Sequence, residues 1–189
     1  MRLAQQLYEG VEIKGEGTVA LITYLRTDST RVSEEAERMA GEFIARRYGE
    51  AYPGGETANK GPARKIQDAH EAIRPTDIAR EPVILKEMLP RDLFRLYQLI
   101  WKRFTASRMS PARYETTSVK IDAGMHRFTV SASRLAFDGF MSVYVQEEEK
   151  EETNQLIREL DQNTKLEFKE FDSKQHFTQP PSHYTEASL

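Results

Sequence analysis

At 189 residues the chain is long enough for one ordinary domain or two small ones with a real core, and its 39% hydrophobic and 30% charged residues are those of a folded protein. It has no cysteine, which excludes a disulfide framework, a thiolate nucleophile and any Cys-ligated zinc or iron–sulfur site. The net charge of −3 weighs against a polyanion binder, but it is unevenly divided: residues 1–112 hold 18 Lys+Arg against 16 Asp+Glu (+2), and residues 113–189 hold 9 against 14 (−5).

Residues 3–9 read as the end of a helix closed by Gly10, and Lys14-Gly15-Glu16-Gly17 as a turn. The run Val19–Leu25 is short, apolar and partly β-branched, which predicts a strand. Ser33 is placed to cap a helix over Glu34–Tyr48. Its first turn carries Glu34, Glu35 and Glu37 and its last Arg46 and Arg47, complementing the helix dipole. Residues 49–66 are loop-like, and Pro75 discourages a helix through Arg74. Pro90–Ser107 is the clearest helix, with Leu93, Phe94, Leu96, Tyr97, Ile100, Trp101 and Phe104 on one broad apolar face.

Beyond Pro111 the apolar period changes to two. Thr117-Val119-Ile121 and Phe128-Val130-Ala132 read as strands about a turn at Asp122-Ala123-Gly124, with further strands expected at Phe140–Val145 and Leu166–Phe171. Glu148–Gln162 suits a short helix, and the acidic run Glu147–Glu152 a solvated surface. The expected fold class is α+β. A mostly helical lobe over residues 1–112 is followed by a β-rich antiparallel lobe over 113–189. No apolar run approaches the roughly 20 residues of a membrane span, and the first residues are no signal peptide, so the default address is the cytosol.

The chemistry concentrates in Thr23-Tyr24-Leu25-Arg26-Thr27-Asp28. In extended chain Tyr24, Arg26 and Asp28 share a side, bringing a phenol, a guanidinium and a carboxylate together. A phenol titrates near 10 and needs cationic neighbours to act as a nucleophile at neutral pH. Arg26 could supply that and hold a phosphate bidentately. The plainer alternative is a half-buried tyrosine beside a surface ion pair. His70, with Glu71 and Arg74 near it, is a second candidate for phosphate contact or proton transfer. The remaining histidines are scattered without metal-ligand spacing, and there is no Gly-x-x-x-x-Gly-Lys-Ser/Thr loop to cradle ATP.

The segment Ile22-Thr-Tyr-Leu-Arg-Thr-Asp-Ser-Thr30 resembles the active-site tyrosine segment of type IA DNA topoisomerases, in particular bacterial topoisomerase I. Ala4-Gln-Gln-Leu-Tyr-Glu9, His70-Glu-Ala-Ile-Arg-Pro75, Leu96–Trp101 with Arg108–Pro111, and the tail Phe177–Leu189 fit the same family in the same order. The resemblance implies that Tyr24 attacks a single-stranded DNA phosphodiester to form a 5′-phosphotyrosine link. It implies that Arg26 holds the scissile phosphate and that His70 contacts DNA phosphate. Gln5, Glu9, Thr23, Thr27, Asp28 and Arg74 are implied as supporting positions. It further implies ATP-independent strand passage that relaxes negative supercoils, in the nucleoid of a bacterial cytosol. The family's Mg²⁺ belongs to the acidic residues of a TOPRIM domain. No Asp-x-Asp occurs in these residues, so no metal site or cofactor is expected here. The chain is expected to be a piece of the tyrosine-bearing and hinge domains, needing TOPRIM and DNA-gripping domains as partners and inefficient alone. A non-catalytic DNA-binding or structural module is the competing reading, and a site-specific recombinase fits less well because its tyrosine would lie near the C-terminus.

Overall fold

The computed structural model describes residues 1–54, 70–144, 161 and 163–185. The fold is α+β, as the apolar periods imply. Helix α1 (Arg2–Glu9) leads into a small hairpin of β1 (Val11–Ile13) and β2 (Gly17–Val19), then α2 (Glu34–Tyr48), the short α3 (Pro82–Leu85), and α4 (Arg91–Ser107). A long antiparallel hairpin of β3 (Arg113–Ala123) and β4 (His126–Phe137) follows, with a 3₁₀ turn at Gly139–Ser142. The chain divides into two compact units, Met1–Arg158 and Glu159–Leu189.

The first unit is built around α4. Leu93, Tyr97, Trp101 and Phe104 turn one stripe inward onto Leu7 of α1, Phe43 and Ile44 of α2, and Leu21 and Ile22 from the segment after β2. Trp101 meets Phe43 edge-on with ring centroids 6.0 Å apart. Its indole N–H donates to the Ile78 carbonyl at 2.8 Å, and the Tyr97 hydroxyl donates to the Arg80 carbonyl at 2.7 Å. These two bonds pin the loop 76–81 to α4, so the segment that begins at His70 leaves from a fixed platform.

Helix α2 has the expected bounds. The Ser33 side chain accepts from the Ala36 amide, and the acidic first turn and basic last turn are both present. Helix α4 starts one residue after Pro90, which occupies the N-cap.

The strand expected over Val19–Leu25 is shorter than its apolar run suggests. Strand β2 ends at Val19, and the chain continues extended with one bridge, Ile22 to Pro75. Proline offers no amide donor, so a ladder cannot continue through that position. Discrete bonds hold the segment instead: Leu21 N–H to Leu7 O at 2.8 Å, Thr76 N–H to Leu21 O at 3.1 Å, and Thr23 N–H to Arg74 O at 2.9 Å.

In the long hairpin Val119 faces Val130 and Ile121 faces Phe128 on one side, while Thr116 pairs with Ser133 and Asp122 with Arg127 on the other. The turn falls at Gly124-Met125 rather than at Asp122-Ala123-Gly124. Asp122 still belongs to the ladder, where the Arg127 guanidinium draws its carboxyl below the usual range. Gly124, at φ +62°, takes the left-handed position the tight turn needs.

The strand expected at Phe140–Val145 is replaced over its described part by the 3₁₀ turn, because Gly139 at φ +49° reverses the chain and Phe140 N–H is claimed by Ser110 O. In the second unit the described residues form no helix or strand, so the one expected at Leu166–Phe171 is not made. Its side chains are exposed and no neighbouring strand takes its backbone groups among the described residues. The helix expected at Glu148–Gln162, all but Asp161 of it, lies outside the described residues. No helix among the described residues is long and apolar enough to cross a membrane.

Candidate active site

The segment after β2 carries Tyr24 out of the core. Leu21 and Ile22 are fully buried, Thr23 is half-buried, and Tyr24 is 39% exposed. Thr23 fastens this exit: its hydroxyl donates to Ala72 O at 2.9 Å and accepts from Arg74 N–H at 2.9 Å. Arg31 O in turn accepts from Ala72 N–H at 2.7 Å. The residues flanking Tyr24 and those following His70 are thereby held side by side, although 46 positions separate the two in sequence.

The Tyr24 ring is flanked on two sides. The His70 ring lies at 5.2 Å between centroids, and the Tyr8 ring meets it edge-on at 5.4 Å. His70 Nδ1 sits 3.2 Å from Asp28 Oδ2, and Arg26 Nη1 lies 3.9 Å from the same oxygen. One carboxylate therefore addresses both cation-capable groups beside the phenol. No described residue hydrogen-bonds the Tyr24 hydroxyl. The Arg26 side chain is largely exposed and its ion pair is long, so little energy holds it away from a phosphate.

Of the residues singled out in the sequence, the fold brings together Tyr24, Arg26, Asp28 and His70, with Thr23 as the fastening. Thr27 lies exposed in a bend. Gln5 and Glu9 bond each other along α1, Nε2–H to Oε1 at 2.5 Å. The Arg74 guanidinium is committed locally, to Glu71 through Nε and Nη2 and to Pro75 O through Nη1. Tyr8 was not singled out, though it stands in the same Leu-Tyr-Glu run as Glu9; its aromatic character was the available signal. Among the described residues no group of His, Asp or Glu side chains could hold a metal ion.

A protein-family model described as DNA topoisomerase matches residues 1–189, the full length of the chain. The chain belongs to this bacterial DNA topoisomerase family. Among solved structures it is similar to full-length topoisomerase I from Thermotoga maritima, at 43% sequence identity and a TM-score of 0.64 over 78% of the chain. The match covers 23% of that larger protein, so the topoisomerase-family chain spans about a quarter of its length. The type IA resemblance drawn from Ile22–Thr30 and His70–Pro75 is borne out at the level of the family.

Proposed function

We propose that this chain carries the nucleophile half of a type IA topoisomerase site, an isomerase activity in which Tyr24 cleaves and reseals one DNA strand. The phenolic oxygen of Tyr24 attacks the phosphorus. A Tyr–O–P bond forms as the P–O3′ bond breaks, the phenolic proton departs, and the 3′ oxygen takes one up. The product keeps the 5′ phosphate on the tyrosine, and reversal reseals the strand without ATP. Arg26 holds the scissile phosphate, and His70, whose Nδ1 lies 3.2 Å from Asp28, contacts DNA phosphate. Thr23 positions both segments. Thr27, Gln5, Glu9 and Arg74 support the surroundings. The single observation that carries this reading is the exposed Tyr24 ring beside Tyr8 and His70, its hydroxyl without a hydrogen-bond partner among the described residues and Arg26 within reach of the same carboxylate as His70.

Mg²⁺ does not fit the described residues, which offer no ligand cluster, and none of the steps above passes through it. We assign the metal to a separate TOPRIM domain, and the grip on single-stranded DNA in part to a further domain. In this reading residues 1–112 form the tyrosine-bearing domain and 113–189 part of a hinge, working in a bacterial cytosol at the nucleoid. The experiment joins the chain to such an acidic domain and supplies labelled single-stranded DNA with Mg²⁺. A covalent adduct at the 5′ phosphate is expected, lost in Tyr24→Phe while DNA binding persists. Adduct in the Phe variant, or a 3′ link, overturns the assignment. The 189 residues alone are expected to form little adduct, and robust formation overturns the need for a second domain.

A further inference from the structure

Directly after His70 stands an ion pair for which the chemistry of Tyr24 has no use. Glu71 Oε2 accepts from Arg74 Nε at 3.0 Å, and Arg74 Nη2 lies 2.8 Å from the same oxygen. The third nitrogen, Nη1, donates to the Pro75 carbonyl at 3.1 Å, so the whole guanidinium fork is engaged within its own turn. The two side chains are only 15% (Arg74) and 22% (Glu71) exposed, against 61% and 48% for Arg26 and Asp28. Water and salt weaken an exposed pair, whereas a largely buried one keeps its geometry because parting the charges strands each of them.

The far end of this pair is fixed to the segment of the nucleophile. Arg74 gives its amide to Thr23 Oγ1 and takes the Thr23 N–H on its carbonyl, both at 2.9 Å. Ala72 is bonded on both sides, to Arg31 O at 2.7 Å and from the Thr23 hydroxyl at 2.9 Å, and Ile73 packs against the core. Glu71 is the one residue between this anchored stretch and His70. Its backbone makes no bond to another described backbone group, so its side chain is what ties it down. The His70 ring itself meets only the half-exposed Asp28 carboxylate and the Tyr24 ring among the described contacts. Such contacts hold a ring weakly, and its place depends on how firmly its backbone is carried.

We propose that Glu71 is a positioning residue, which through its ion pair with Arg74 sets the place of the His70 ring beside Tyr24. The charge of Arg74 is then engaged inside the protein rather than on DNA. The proposal deepens the function argued above and rests on it for what His70 does.

The first readout needs no DNA. In the whole 189-residue chain the Tyr24 and His70 rings, 5.2 Å apart between centroids, are close enough for a proton–proton Overhauser effect in solution NMR. Glu71→Gln keeps the size, removes the charge and should weaken that effect severalfold, while Glu71→Asp keeps the charge and should retain most of it. If the Gln variant folds poorly because Arg74 is left unpaired, Glu71→Gln/Arg74→Gln removes both charges and reads the same effect. The second readout is cleavage of labelled single-stranded DNA by the chain joined to an acidic domain with Mg²⁺. Glu71→Gln should slow adduct formation roughly tenfold and leave DNA affinity within about twofold. In a His70→Gln background the same substitution should cost less than about twofold, because a residue acting through His70 has nothing left to act on. An undiminished ring-to-ring effect in the Gln variants, or a Glu71 loss of full size in the His70→Gln background, overturns the proposal. Unimpaired cleavage by His70→Gln, with the ring-to-ring effect still lost in Glu71→Gln, refutes the role given to His70 and leaves its placement by Glu71 standing.

Discussion

The hydroxyl of Thr23 lies 2.9 Å from the backbone nitrogen of Arg74 and accepts its N–H, while donating its own proton to Ala72 O. One side chain thus stitches the segment entering Tyr24 to the segment leaving His70. Thr23→Val keeps the shape and removes both bonds, leaving a part-buried amide unpaired. The expected cost is about 1–3 kcal/mol in chemical denaturation. The His70 and Tyr24 segments would also lose register, so adduct formation by the complete enzyme should fall more than DNA binding does. Thr23→Ser, which keeps the hydroxyl, should restore most of both. A loss in the Ser variant with none in the Val variant would show that the methyl packing matters and the hydrogen bonds do not.

Tyr8 meets the Tyr24 ring edge-on at 5.4 Å, opposite in chemistry to His70 because it brings an aromatic edge and no charge. Such pairs contribute roughly 0.5–1.5 kcal/mol beyond the area they bury. With that contact gone, Tyr24 gains rotamers that point its hydroxyl away from a bound phosphate. Tyr8→Phe preserves the ring and should leave the cleavage rate within about twofold, whereas Tyr8→Ala should lower it by roughly tenfold, the kinetic equivalent of about 1.4 kcal/mol. DNA affinity should change little in either. A Phe variant as slow as the Ala variant would mean the Tyr8 hydroxyl, rather than its ring, acts at the site.

Much of this architecture was legible in the sequence where one local signal sufficed. Ser33 with three early glutamates set the start of α2, and its basic end marked the finish. The apolar stripe of α4 and the alternation around Val119 and Val130 likewise gave helix and hairpin. The failures share a cause: whether an apolar stretch pairs depends on a partner that period alone does not name. Leu166–Phe171 alternates as well as β4 does, yet none of the described strands receives it. Strand β1 and helix α3, at three and four residues, are too short to show a period. In the site, the period of two foretold that Arg26 and Asp28 would lie together near Tyr24. That His70 joins them depends on hydrogen bonds made by Thr23, Ala72 and Arg74, which no local pattern announces.

Gly139 closes the chain against the root of the long hairpin. A Cβ there would come within 2.4 Å of Ser110 O and 2.7 Å of Pro111 C, and the residue stands at φ +49°. Both neighbours are backbone, so neither can swing aside. Gly139→Ala should therefore destabilise the fold by about 2 kcal/mol or more, from strain and overlap together. Gly124→Ala, where a Cβ would meet open space, carries only the conformational penalty and should cost about 1 kcal/mol. Thermal melts of the two variants side by side check the ordering, and a larger loss at Gly124 would contradict it.

Burial pushes the Tyr97 phenol well above its ordinary value, partly offset by the nearby Arg80 guanidinium, and its hydroxyl donates to Arg80 O at 2.7 Å. Tyr48, raised by burial, and Tyr52, raised by its bond to Asp138, move the same way. A tyrosine in the unfolded chain loses its proton near pH 10. Between that pH and the raised native value the folded state binds more protons than the unfolded state, so stability falls as pH rises. The contribution is whole below about pH 10 and is lost above it, which predicts an alkaline decline in unfolding free energy. Tyr97→Phe should cost about 1–2 kcal/mol at neutral pH, from the lost bond and the stranded Arg80 carbonyl. It should also flatten the decline, so that the gap to the parent narrows as pH rises above about 10. Urea melts across that range read both effects, and a parallel decline in the variant would move the alkaline sensitivity away from Tyr97.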